Sequence, residues 1–592
     1  MEKFIKLVCI IFLFAVISGG AILAQEDANE GTEVELELRG KETIEVTGFI
    51  MDGRSLVSAD TFEAVSDAVV SFDVDTEQIE INYPDKPTME LELGNEQGHV
   101  NGEAISMPLA PRIIQDEVYM PLRVIFEHLE YDVGWDNGVI TLEEIIAPVV
   151  EPLDVEDGTY RAASESSLDR YGFTVAEVTF EDGYIVDVYL VEYDNVGLRK
   201  EKDYHYDVES WQDVRDDYPE QFDSLQAMLN EMGERFVNYN TAEVDTISGA
   251  TSTSNKAIDA VERAINMAKG ETGPFDGTFM GVSEIGERSW GIALVTIADG
   301  EIVEVKLEEA NRHEPFGPLT EAELKGADYD WDEFHEARET MPEWFIEAQS
   351  PDVDTYTGAT GSSEGWQQAV ARAMANAGAY DRMVGASAAD SHGFVEADLV
   401  VEDGEFFDIG LTEYDNLGLR KDVDYEYDVE NWAEISDDYP EEYDSLRAML
   451  DEMVERIEAA EDIDDIDTIS GATGTSEKAI DAVEKTLLEG PFDGTFMGIS
   501  TVSARGGWNL AWVEFQGDAI IDVSLEEVQE ENGQYELKGE DYPWDEFHEA
   551  KDEMPAWFVE ADSPHVDTYT GATSSAERWM EAVEDAERRS SR

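Results

Sequence analysis

The seven residues Asp-Thr-Ile-Ser-Gly-Ala-Thr occur at 245–251 and again at 467–473. A close variant, Asp-Thr-Tyr-Thr-Gly-Ala-Thr, occurs at 354–360 and at 567–573. Successive copies lie 100–113 residues apart, which is the size of a small domain rather than of a solenoid repeat. This spacing predicts four domain-sized repeats, each with the same seven-residue motif near its end.

The four copies are of two alternating kinds, which share longer segments. The first and third have Glu-Tyr-Asp-Asn-x-Gly-Leu-Arg-Lys in common, while the second and fourth share Gly-Pro-Phe-Asp-Gly-Thr-Phe-Met-Gly and Trp-Asp-Glu-Phe-His-Glu-Ala. Duplication of a two-domain unit explains this alternation most simply. In the same order, the shared segments lie at 192–200 and 413–421, at 273–281 and 490–498, and at 331–337 and 544–550.

Each copy predicts the same order of elements. A strand hairpin comes first, with a tight turn at Asp182-Gly183 in copy one, because Asp-Gly favours two-residue turns. An acidic helix follows, over 222–237 in copy one, and then come the motif and a closing amphipathic helix. The other turns are predicted at Asp299-Gly300, Asp403-Gly404 and Gln516-Gly517-Asp518, and the apolar face of the first closing helix at Ala257, Ile258, Val261, Ala264 and Ile265.

The amino terminus has the pattern of a secretory signal over residues 1–24. Two lysines precede the apolar run 7–17, and small residues lead to a cleavage site predicted after Ala24. The run is shorter than the ~20 residues of a membrane span. An exported chain is therefore expected, with a polar linker over 25–40 behind the signal.

Acidic residues greatly outnumber basic ones. The chain has 138 Asp and Glu against 38 Lys and Arg, a formal net charge of −100. Binding along a nucleic-acid backbone is excluded, because it needs clustered Lys and Arg to neutralise phosphates. The charge fits an environment of high salt, which screens the repulsion while the carboxylates keep the surface hydrated. The alternative is a calcium-binding surface, but no D-x-D-x-D-G loop with a closing Glu occurs.

One cysteine, Cys9, lies within the predicted signal. A single thiol excludes an intramolecular disulfide, a cysteine zinc or iron–sulfur site, and C-x-x-C-H haem attachment. The eight histidines are too scattered for a multihaem carrier. No metal site and no catalytic nucleophile–base pair is predicted, so redox chemistry would come from an organic cofactor.

The motif has residue types that suit a phosphate site at a helix N-terminus. Gly and Ala allow a tight turn and the close approach of another group. The hydroxyl of the final Thr is expected just before the closing helix, whose free N–H groups and dipole favour a phosphate. The alternative is an ordinary helix N-cap, for which Ser and Thr are common. The same Asp, Gly, Ala and final Thr in all four copies favour the phosphate site.

Residues 41–146 contain several Val/Ile/Leu alternations, which predict a strand-rich unit. The clearest segments are Met-Pro-Leu-Arg-Val-Ile-Phe-Glu at 120–127 and Tyr-Asp-Val-Gly-Trp-Asp at 131–136. This region resembles the small stalk domain at the start of some copper amine oxidases. The resemblance implies an α+β accessory domain without copper, which serves as a spacer or a wall-facing module.

The motif resembles the acceptor sequence Asp-x-x-(Ser/Thr)-Gly-Ala-Thr of FMN-binding domains. Such domains occur in the C subunit of the sodium-translocating NADH:quinone reductase, in the G subunit of Rnf complexes and in exported flavoproteins. In this family a flavin transferase uses FAD and magnesium to attach FMN to the final Thr through a phosphoester. The resemblance implies covalent FMN at up to four acceptors, Thr251, Thr360, Thr473 and Thr573. The other motif residues that it assigns to cofactor binding are Asp245, Ser248, Gly249, Ala250, Asp354, Thr357, Gly358, Ala359, Asp467, Ser470, Gly471, Ala472, Asp567, Thr570, Gly571 and Ala572.

The resemblance covers residues 155–588 unevenly. Copies one and three have Gly197-Leu198 and Gly418-Leu419, which are similar to the loop near the flavin ring in the family. Copies two and four have tryptophans instead, for which core packing is expected rather than stacking on the flavin. His335 and His548 lie in predicted helices, where a surface role is expected rather than proton exchange with a flavin. The tryptophans are Trp331, Trp344, Trp544 and Trp557.

The sequence thus predicts an α+β multidomain protein, with a small α+β stalk domain followed by four tandem α+β FMN-binding domains, referred to below as repeats one to four. The predicted boundaries are 1–24 for the signal peptide, 25–40 for the linker, 41–146 for the stalk domain, and 155–269, 273–378, 380–488 and 490–588 for repeats one to four.

The leading hypothesis is an exported, membrane-associated electron carrier at the cell surface. Its FMN groups would pass electrons from a membrane donor to an extracellular acceptor, with a flavin transferase as the partner in maturation. An electron carrier is favoured over an enzyme with its own substrate. The alternatives are a cell-surface structural or adhesive array without flavin, against which the four retained threonines count, and an extracellular flavin-dependent reductase, which would need a distinct substrate domain.

Overall fold

A computed structural model of the chain contains helices and strands in two compact units, residues 1–149 and 150–592. The unit boundary lies close to the predicted end of the stalk domain. The predicted signal peptide and most of the predicted linker lie outside the described residues. Those described run from 32 to 591 with gaps, of which the longest are 61–68, 209–221 and 430–442.

Unit one is built largely of strands, as the alternating apolar residues predict. Its strands β1 to β12 are Thr32–Leu38, Ile44–Met51, Arg54–Ser58, Val69–Asp73, Gln78–Asn82, Met89–Glu92, Gln97–Val100, Glu103–Ser106, Arg112–Ile114, Glu117–Pro121, Tyr131–Asp136 and Val139–Glu144, and its helix α1 is Leu122–His128.

These strands form two sheets. The larger has the order β11-β12-β1-β2-β3-β10-β9, with β1 and β12 parallel and the other neighbours antiparallel. The smaller is the antiparallel series β4 to β8. Ile79 and Ile81 alternate inward along β5 and pack in one core with Phe126 of α1. The predicted strand segment at 120–127 is mostly helix, because the chain turns into α1 directly after Pro121.

Unit two has the predicted order of elements four times over. Repeat one contains β13 (Gly158–Ala163), β14 (Thr174–Glu181), β15 (Tyr184–Glu192), α2 (Leu225–Tyr239) and α3 (Thr251–Ala268). Repeat two contains β16 (Gly277–Val282), β17 (Ser289–Ala298), β18 (Glu301–Asn311), β19 (Glu323–Leu324), α4 (Asp332–Ala348) and α5 (Thr360–Asn376). Repeat three contains β20 (Asp381–Ala386), β21 (Phe394–Glu402), β22 (Glu405–Tyr414), α6 (Leu446–Ala459) and α7 (Thr473–Leu487). Repeat four contains β23 (Gly494–Ile499), β24 (Trp508–Gln516), β25 (Ala519–Glu531), β26 (Gln534–Leu537), α8 (Asp545–Ala561) and α9 (Thr573–Ser590).

Each repeat has its own small antiparallel sheet. The sheets of repeats one and three have three strands, and those of repeats two and four have a short fourth strand. In every repeat the buried side chains of the sheet and of both helices form one core. The coarse prediction of a multidomain protein with mixed helix and sheet is confirmed, while the exact division into domains stays a prediction.

The hairpin turns predicted in repeats one, two and four are present, while Asp403 of the turn predicted in repeat three lies outside the described residues. In repeat one both turn residues have positive φ, 51° at Asp182 and 82° at Gly183. In repeat two the values are 52° at Asp299 and 77° at Gly300. Two residues with positive φ make the kind of turn whose twist matches that of the flanking strands. Because Asp and Gly both accept positive φ, the Asp-Gly pair correctly indicated the hairpin turns of repeats one and two.

Repeats also pack against one another in pairs within unit two. Apolar side chains of repeat one, including Leu198, share a core with Trp290 and other residues of repeat two. Repeats three and four share an equivalent core, in which Trp508 takes the place of Trp290. The indole Nε1 of each tryptophan donates to a backbone carbonyl of the preceding repeat, Val196 and Leu417 respectively, at 2.7 Å. The alternating sequences therefore correspond to two packed pairs.

Candidate functional site

The four motif loops share one backbone shape. Their glycines have positive φ: 79° at Gly249, 95° at Gly358, 83° at Gly471 and 92° at Gly571. A residue with a Cβ is strained in that conformation, so the turn requires glycine. At Gly358 a Cβ would also lie 3.0 Å from Cγ of Glu333. The tight turn expected from the sequence is therefore present in each copy.

The alanine that follows the glycine is buried in every loop. The exposed fraction is 1% for Ala250 and Ala359, 3% for Ala472 and 0% for Ala572. Each methyl group belongs to the core of its own repeat, where a larger side chain would displace the loop. Each alanine is also the N-cap residue of the closing helix and makes no side-chain cap. These helices thus begin without the N-cap side chain that would ordinarily bond their first amides.

The final threonine of each motif is the first residue of the closing helix. This differs by one position from the expectation that it would stand just before the helix. The four side chains, of Thr251, Thr360, Thr473 and Thr573, are exposed. A group attached to such a hydroxyl would lie beside the positive end of the helix dipole.

A serine three residues beyond the threonine holds the loop in three of the four copies. Ser254 Oγ accepts a hydrogen bond from the Ile247 amide at 3.0 Å and donates one to the Ala250 carbonyl at 3.1 Å. The corresponding serines of copies two and three make the same pair of bonds. Copy four has Ala576 there, whose methyl group cannot form them. The sequence analysis missed this residue, although its presence in three copies was a visible signal.

The remaining predicted residues lie at the surface of the same loops. The backbone carbonyls of Asp245 and Asp467 accept hydrogen bonds from Nη1 of Arg235 and Arg456, each at 2.7 Å. These bonds tie the start of the loop to the acidic helix of the repeat. The exposed side chains are those of Asp245, Ser248, Asp354, Thr357, Asp467, Ser470, Asp567 and Thr570.

A buried lysine–glutamate pair recurs in all four repeats, and the sequence analysis missed it. The Nζ–Oε1 distance is 2.5 Å in three pairs and 2.8 Å in the third repeat. Each ammonium also lies 4.3–4.7 Å from the centroid of a tyrosine ring, a cation–π arrangement. In repeat order, the groups are Glu192, Lys200 and Tyr206; Glu309, Lys325 and Tyr329; Glu413, Lys421 and Tyr427; and Glu527, Lys538 and Tyr542.

The closing helix contacts this glutamate in three repeats. Lys256 and Lys478 bond to Glu192 and Glu413 at 2.7 and 3.1 Å, and Ser575 bonds to Glu527 at 2.7 Å. Burial raises the pKa of Glu192, but two ammonium groups outweigh it and hold the pKa below its ordinary value. In repeat one the motif helix is therefore fixed to its sheet by a carboxylate that stays ionised.

The Gly-Leu segments of repeats one and three lie against the neighbouring repeat. Gly197 has φ 85°, and a Cβ there would come within 2.5 Å of the Val282 side chain. Leu198 is 1% exposed in the core shared with repeat two. A Cβ on Gly418 would likewise lie 3.1 Å from Ile499 of repeat four. The segment that the resemblance relates to the flavin ring thus has a packing role between repeats.

The tryptophans of repeats two and four have different environments. Trp344 and Trp557 are partly buried against their cores and stack on the motif tyrosines Tyr356 and Tyr569, with centroid distances of 6.1 and 5.8 Å. Trp544 is also packed against its core. Trp331 is 41% exposed, so the expectation of core packing is wrong for that residue.

His335 and His548 are half-buried at the start of α4 and α8. Their Nε2 atoms lie 2.7 and 2.8 Å from the carbonyl oxygens of Tyr329 and Tyr542. Because a carbonyl only accepts, these nitrogens carry the proton. The surface role expected for both histidines is wrong, since each ring anchors the chain that leads into its helix.

Within the described part of the chain, no helix is long and apolar enough to cross a membrane. The same residues contain no group of three or more His, Cys, Asp or Glu side chains placed to hold a metal ion.

The fold and the loops are those of a multidomain α+β protein in which several helices begin at exposed hydroxyls beside amides that lack an N-cap side chain. Comparison with known families adds two findings. Residues 37–143 match the copper amine oxidase N-terminal domain, and residues 171–266 match the FMN-binding domain. The second match contains the motif of repeat one, and it supports FMN as the cofactor and flavin-associated electron transfer as the kind of function.

Other comparisons are less informative. No curated protein matches the chain. Among solved structures, the CPE2226 protein from Clostridium perfringens is similar at 19% identity, over 20% of this chain and 90% of that one, with a TM-score of 0.17.

Proposed function

We propose that this chain is an exported electron-transfer protein with FMN attached by phosphoesters to Thr251, Thr360, Thr473 and Thr573. One observation carries the proposal: the same loop geometry occurs four times, with a glycine of positive φ, a buried alanine and an exposed threonine that begins a helix. The first of these loops lies within the segment that matches the FMN-binding domain.

The residues present fit a phosphate ester. A phosphate on the threonine oxygen would place negative charge at a helix N-terminus, where the dipole and the uncapped amides favour it. The glycine and the buried alanine fix the loop close to the helix. In repeats one to three the loop is also held by the hydrogen bonds of Ser254, Ser363 and Ser476. The chain therefore supplies position and electrostatic stabilisation.

Attachment by a flavin transferase would use FAD and magnesium. The threonine oxygen forms a bond to the phosphorus on the flavin side of FAD, the bond between the two phosphates breaks, and AMP leaves while the hydroxyl proton is lost. FMN, when bound, supplies one- and two-electron redox chemistry. The four threonines are exposed, so this enzyme could approach each of them.

The match to the FMN-binding domain covers repeat one alone. We extend the proposal to the other three repeats because they contain the same motif residues. It also includes the resemblance to the C subunit of the sodium-translocating quinone reductase and to the Rnf G subunit. The boundaries 155–269, 273–378, 380–488 and 490–588 would then correspond to four flavin domains. Unit one would act as a spacer between them and the cell surface.

Export rests on the predicted signal over residues 1–24. Covalent attachment suits an exported carrier, because a cofactor lost outside the cell could not be recovered. The electron donor would be a membrane protein and the acceptor would be extracellular or at the surface. Amino-terminal sequencing of the protein recovered from outside the membrane tests this part, and a mature chain that begins at Gln25 is expected.

The decisive experiment is the intact mass of the chain produced with and without an active flavin transferase. Each attached FMN adds the mass of FMN less one water, and the yellow colour should survive denaturation. Four increments are expected at full occupancy. Each single Thr→Ala substitution at an acceptor should remove one increment.

Matched controls lie in the same motifs. Thr246 and Thr568 are also exposed but precede the helix by several residues. Thr246→Ala and Thr568→Ala should leave all four increments in place. A chain that gains no mass beside an active transferase would rule out the flavoprotein and favour the structural or adhesive array.

A further inference from the structure

Unit two contains a cavity of about 930 Å³ that all four repeats line. Arg161 of repeat one, Arg312 of repeat two, Arg382 of repeat three and Arg589 of repeat four all face it. Among the described lining residues there is no member of the four motif loops. The cavity is therefore a separate feature from the loops that carry the proposed flavins.

The charge balance of the cavity is opposite to that of the chain. Among the described residues, nine Lys and Arg line it, out of 38 in the whole chain, against seven Asp and Glu out of 138. Elsewhere acidic residues dominate, as the net charge of −100 shows. Positive charge is thus concentrated at one partly open site, where it is screened less than on the fully exposed surface.

Several of these cations already have carboxylate partners. Arg382 bonds to Asp398 with both Nε and Nη2, at 2.8 and 2.6 Å. Arg589 bonds to Asp585 at 3.1 Å. Each of these pairs lies within one repeat, and neither needs a ligand.

Arg312 is different. It is 4% exposed, and its Nη1 donates to the carbonyls of Gly317 and Val423 at 3.3 and 2.7 Å. Its Nε and Nη2 atoms have no hydrogen-bond partner among the described residues. Buried donors are nearly always paired, and a guanidinium recognises carboxylate and phosphate through two parallel bonds. Arg312 therefore places in the cavity wall a buried cation with two unpaired donors, and such a cation favours an anionic ligand.

Arg161 adds a second cation with little compensation. Its nearest carboxylate, Glu177, lies 3.7 Å from Nε. Burial and the neighbouring Arg382 lower the pKa of Arg161 to about 10, so it remains charged at neutral pH. An anion in the cavity would relieve the repulsion between these two guanidinium groups.

We propose that this cavity binds a small molecule with two or more acidic groups, of the carboxylate or phosphate class. The volume of about 930 Å³ is that of an organic ligand site rather than of a single inorganic ion. More than one acidic group is proposed because cations of repeats one and two both line the cavity, Arg161 with one carboxylate at 3.7 Å and Arg312 with backbone carbonyls as its hydrogen-bond acceptors. The proposal goes beyond the flavin function and does not depend on it.

The test is titration calorimetry on the full-length chain made without a flavin transferase. Citrate represents the carboxylate class and pyrophosphate the phosphate class, with acetate and chloride as monovalent controls at constant ionic strength. The expected result is that citrate or pyrophosphate binds at least about tenfold tighter than acetate. The stronger of the two identifies the class.

Variants then locate the binding. Arg312→Met should weaken it about tenfold or more, because the cavity wall loses a buried positive charge. Arg505 lines the cavity but is exposed, so Arg505→Glu is compatible with folding and should also weaken binding. Arg288 is 67% exposed and lies outside the lining, so Arg288→Met is the matched control and should leave affinity unchanged.

Two outcomes would overturn the proposal. One is citrate and pyrophosphate binding no tighter than acetate in the unmodified chain, a result that needs no variant. The other is an equal loss of affinity in Arg505→Glu and Arg288→Met, which would mean non-specific association. If Arg312→Met does not fold, the unmodified chain and the Arg505→Glu variant still decide the question.

Discussion

Arg420 of repeat three bonds to Asp203 of repeat one, with 3.1 Å between Nη1 and Oδ1. The same carboxylate accepts hydrogen bonds from the amide and Nη2 of Arg199, at 2.7 and 2.8 Å, and its side chain is 1% exposed. Burial raises the pKa of Asp203, but the two guanidinium groups outweigh it and hold that pKa below its ordinary value. One ionised carboxylate therefore joins two repeats.

The first prediction concerns Asp203→Asn. At pH 7 it should lower the free energy of unfolding by about 3 kcal/mol, because the buried guanidinium of Arg420 and the half-buried one of Arg199 lose a shared counter-charge. The lowered pKa means that ionised Asp203 stabilises the fold above its unfolded pKa of about 3.9, and that this stabilisation is lost as the pH falls through the folded pKa. The difference from wild type should thus shrink in acid. Urea unfolding followed by tryptophan fluorescence at pH 7 and pH 3 measures it.

Asp424→Asn is the control for that variant. Asp424 holds the equivalent place in repeat three, bonds to Arg420 at 2.9 Å and is 20% exposed. A smaller loss is expected because its charge is better solvated. Equal losses for both aspartates, or a loss for Asp203→Asn that does not change with pH, would contradict the bridging role.

Local signals in the sequence predicted local structure well. Asp-Gly turns, the closing helices and the glycine turn of each motif depend on neighbours in the chain, and they are where they were expected. The segment 120–127 is expected to be strand but is helical from Leu122 onwards, because a short apolar run does not distinguish a strand from a helix.

Long-range pairing was not predictable from the same patterns. The glutamate and lysine of the buried pairs are 8 residues apart in repeats one and three, but 16 and 11 apart in repeats two and four. No fixed spacing marks them. The meeting of Arg420 with Asp203 depends on how repeats pack, which periodicity within one repeat does not determine. The central basic cavity was missed for the same reason, since its residues come from all four repeats.

The second prediction concerns the buried pair of repeat two. Lys325 and Glu309 are 2.5 Å apart with side chains 7% and 5% exposed. Lys325→Met should destabilise the protein by about 3–5 kcal/mol, because it leaves a buried carboxylate without its partner. The double variant Lys325→Met/Glu309→Met should recover most of that loss, since an apolar pair has no charge to desolvate. Thermal unfolding of the wild type, the single variants and the double variant measures these differences as a double-mutant cycle.

An exposed ion pair in the same repeat provides the comparison. Arg288 and Glu287 are 67% and 58% exposed, and Arg288→Met should change stability by less than about 0.5 kcal/mol. A double variant no more stable than Lys325→Met alone would mean that packing, rather than the unpaired charge, causes the loss.

The third prediction uses the difference between repeats three and four. Ser476 Oγ accepts from the Ile469 amide at 3.0 Å and donates to the Ala472 carbonyl at 2.9 Å, whereas repeat four has Ala576. Ser476→Ala should cost about 1–2 kcal/mol of local stability, because a buried amide loses its acceptor. Hydrogen exchange at the Ile469 amide should become faster. The reciprocal Ala576→Ser should slow exchange in the repeat-four loop, and no change in either direction would show that the serine does not hold the loop.

The last prediction tests whether FMN attachment depends on the positive-φ turn at Gly358 or on the glycines as such. Gly358 has φ 95°, and a Cβ on it would lie 3.0 Å from Glu333 Cγ, so Gly358→Ala should cost about 1–2 kcal/mol. A distorted loop would also misplace the hydroxyl of Thr360. FMN attachment at Thr360 should therefore fall, while attachment at the other three threonines stays unchanged, as measured by mass spectrometry of the peptides.

Gly361 lies three residues further on and gives the matched control. It is exposed within α5, and a Cβ there would have nothing within 4 Å. Gly361→Ala should stabilise the helix by up to about 1 kcal/mol, because alanine has the higher helix propensity. Attachment at Thr360 should persist in this variant. Loss of attachment in both variants would mean that the transferase reads the glycines themselves, whereas loss in Gly358→Ala alone would show that the positive-φ turn presents the threonine.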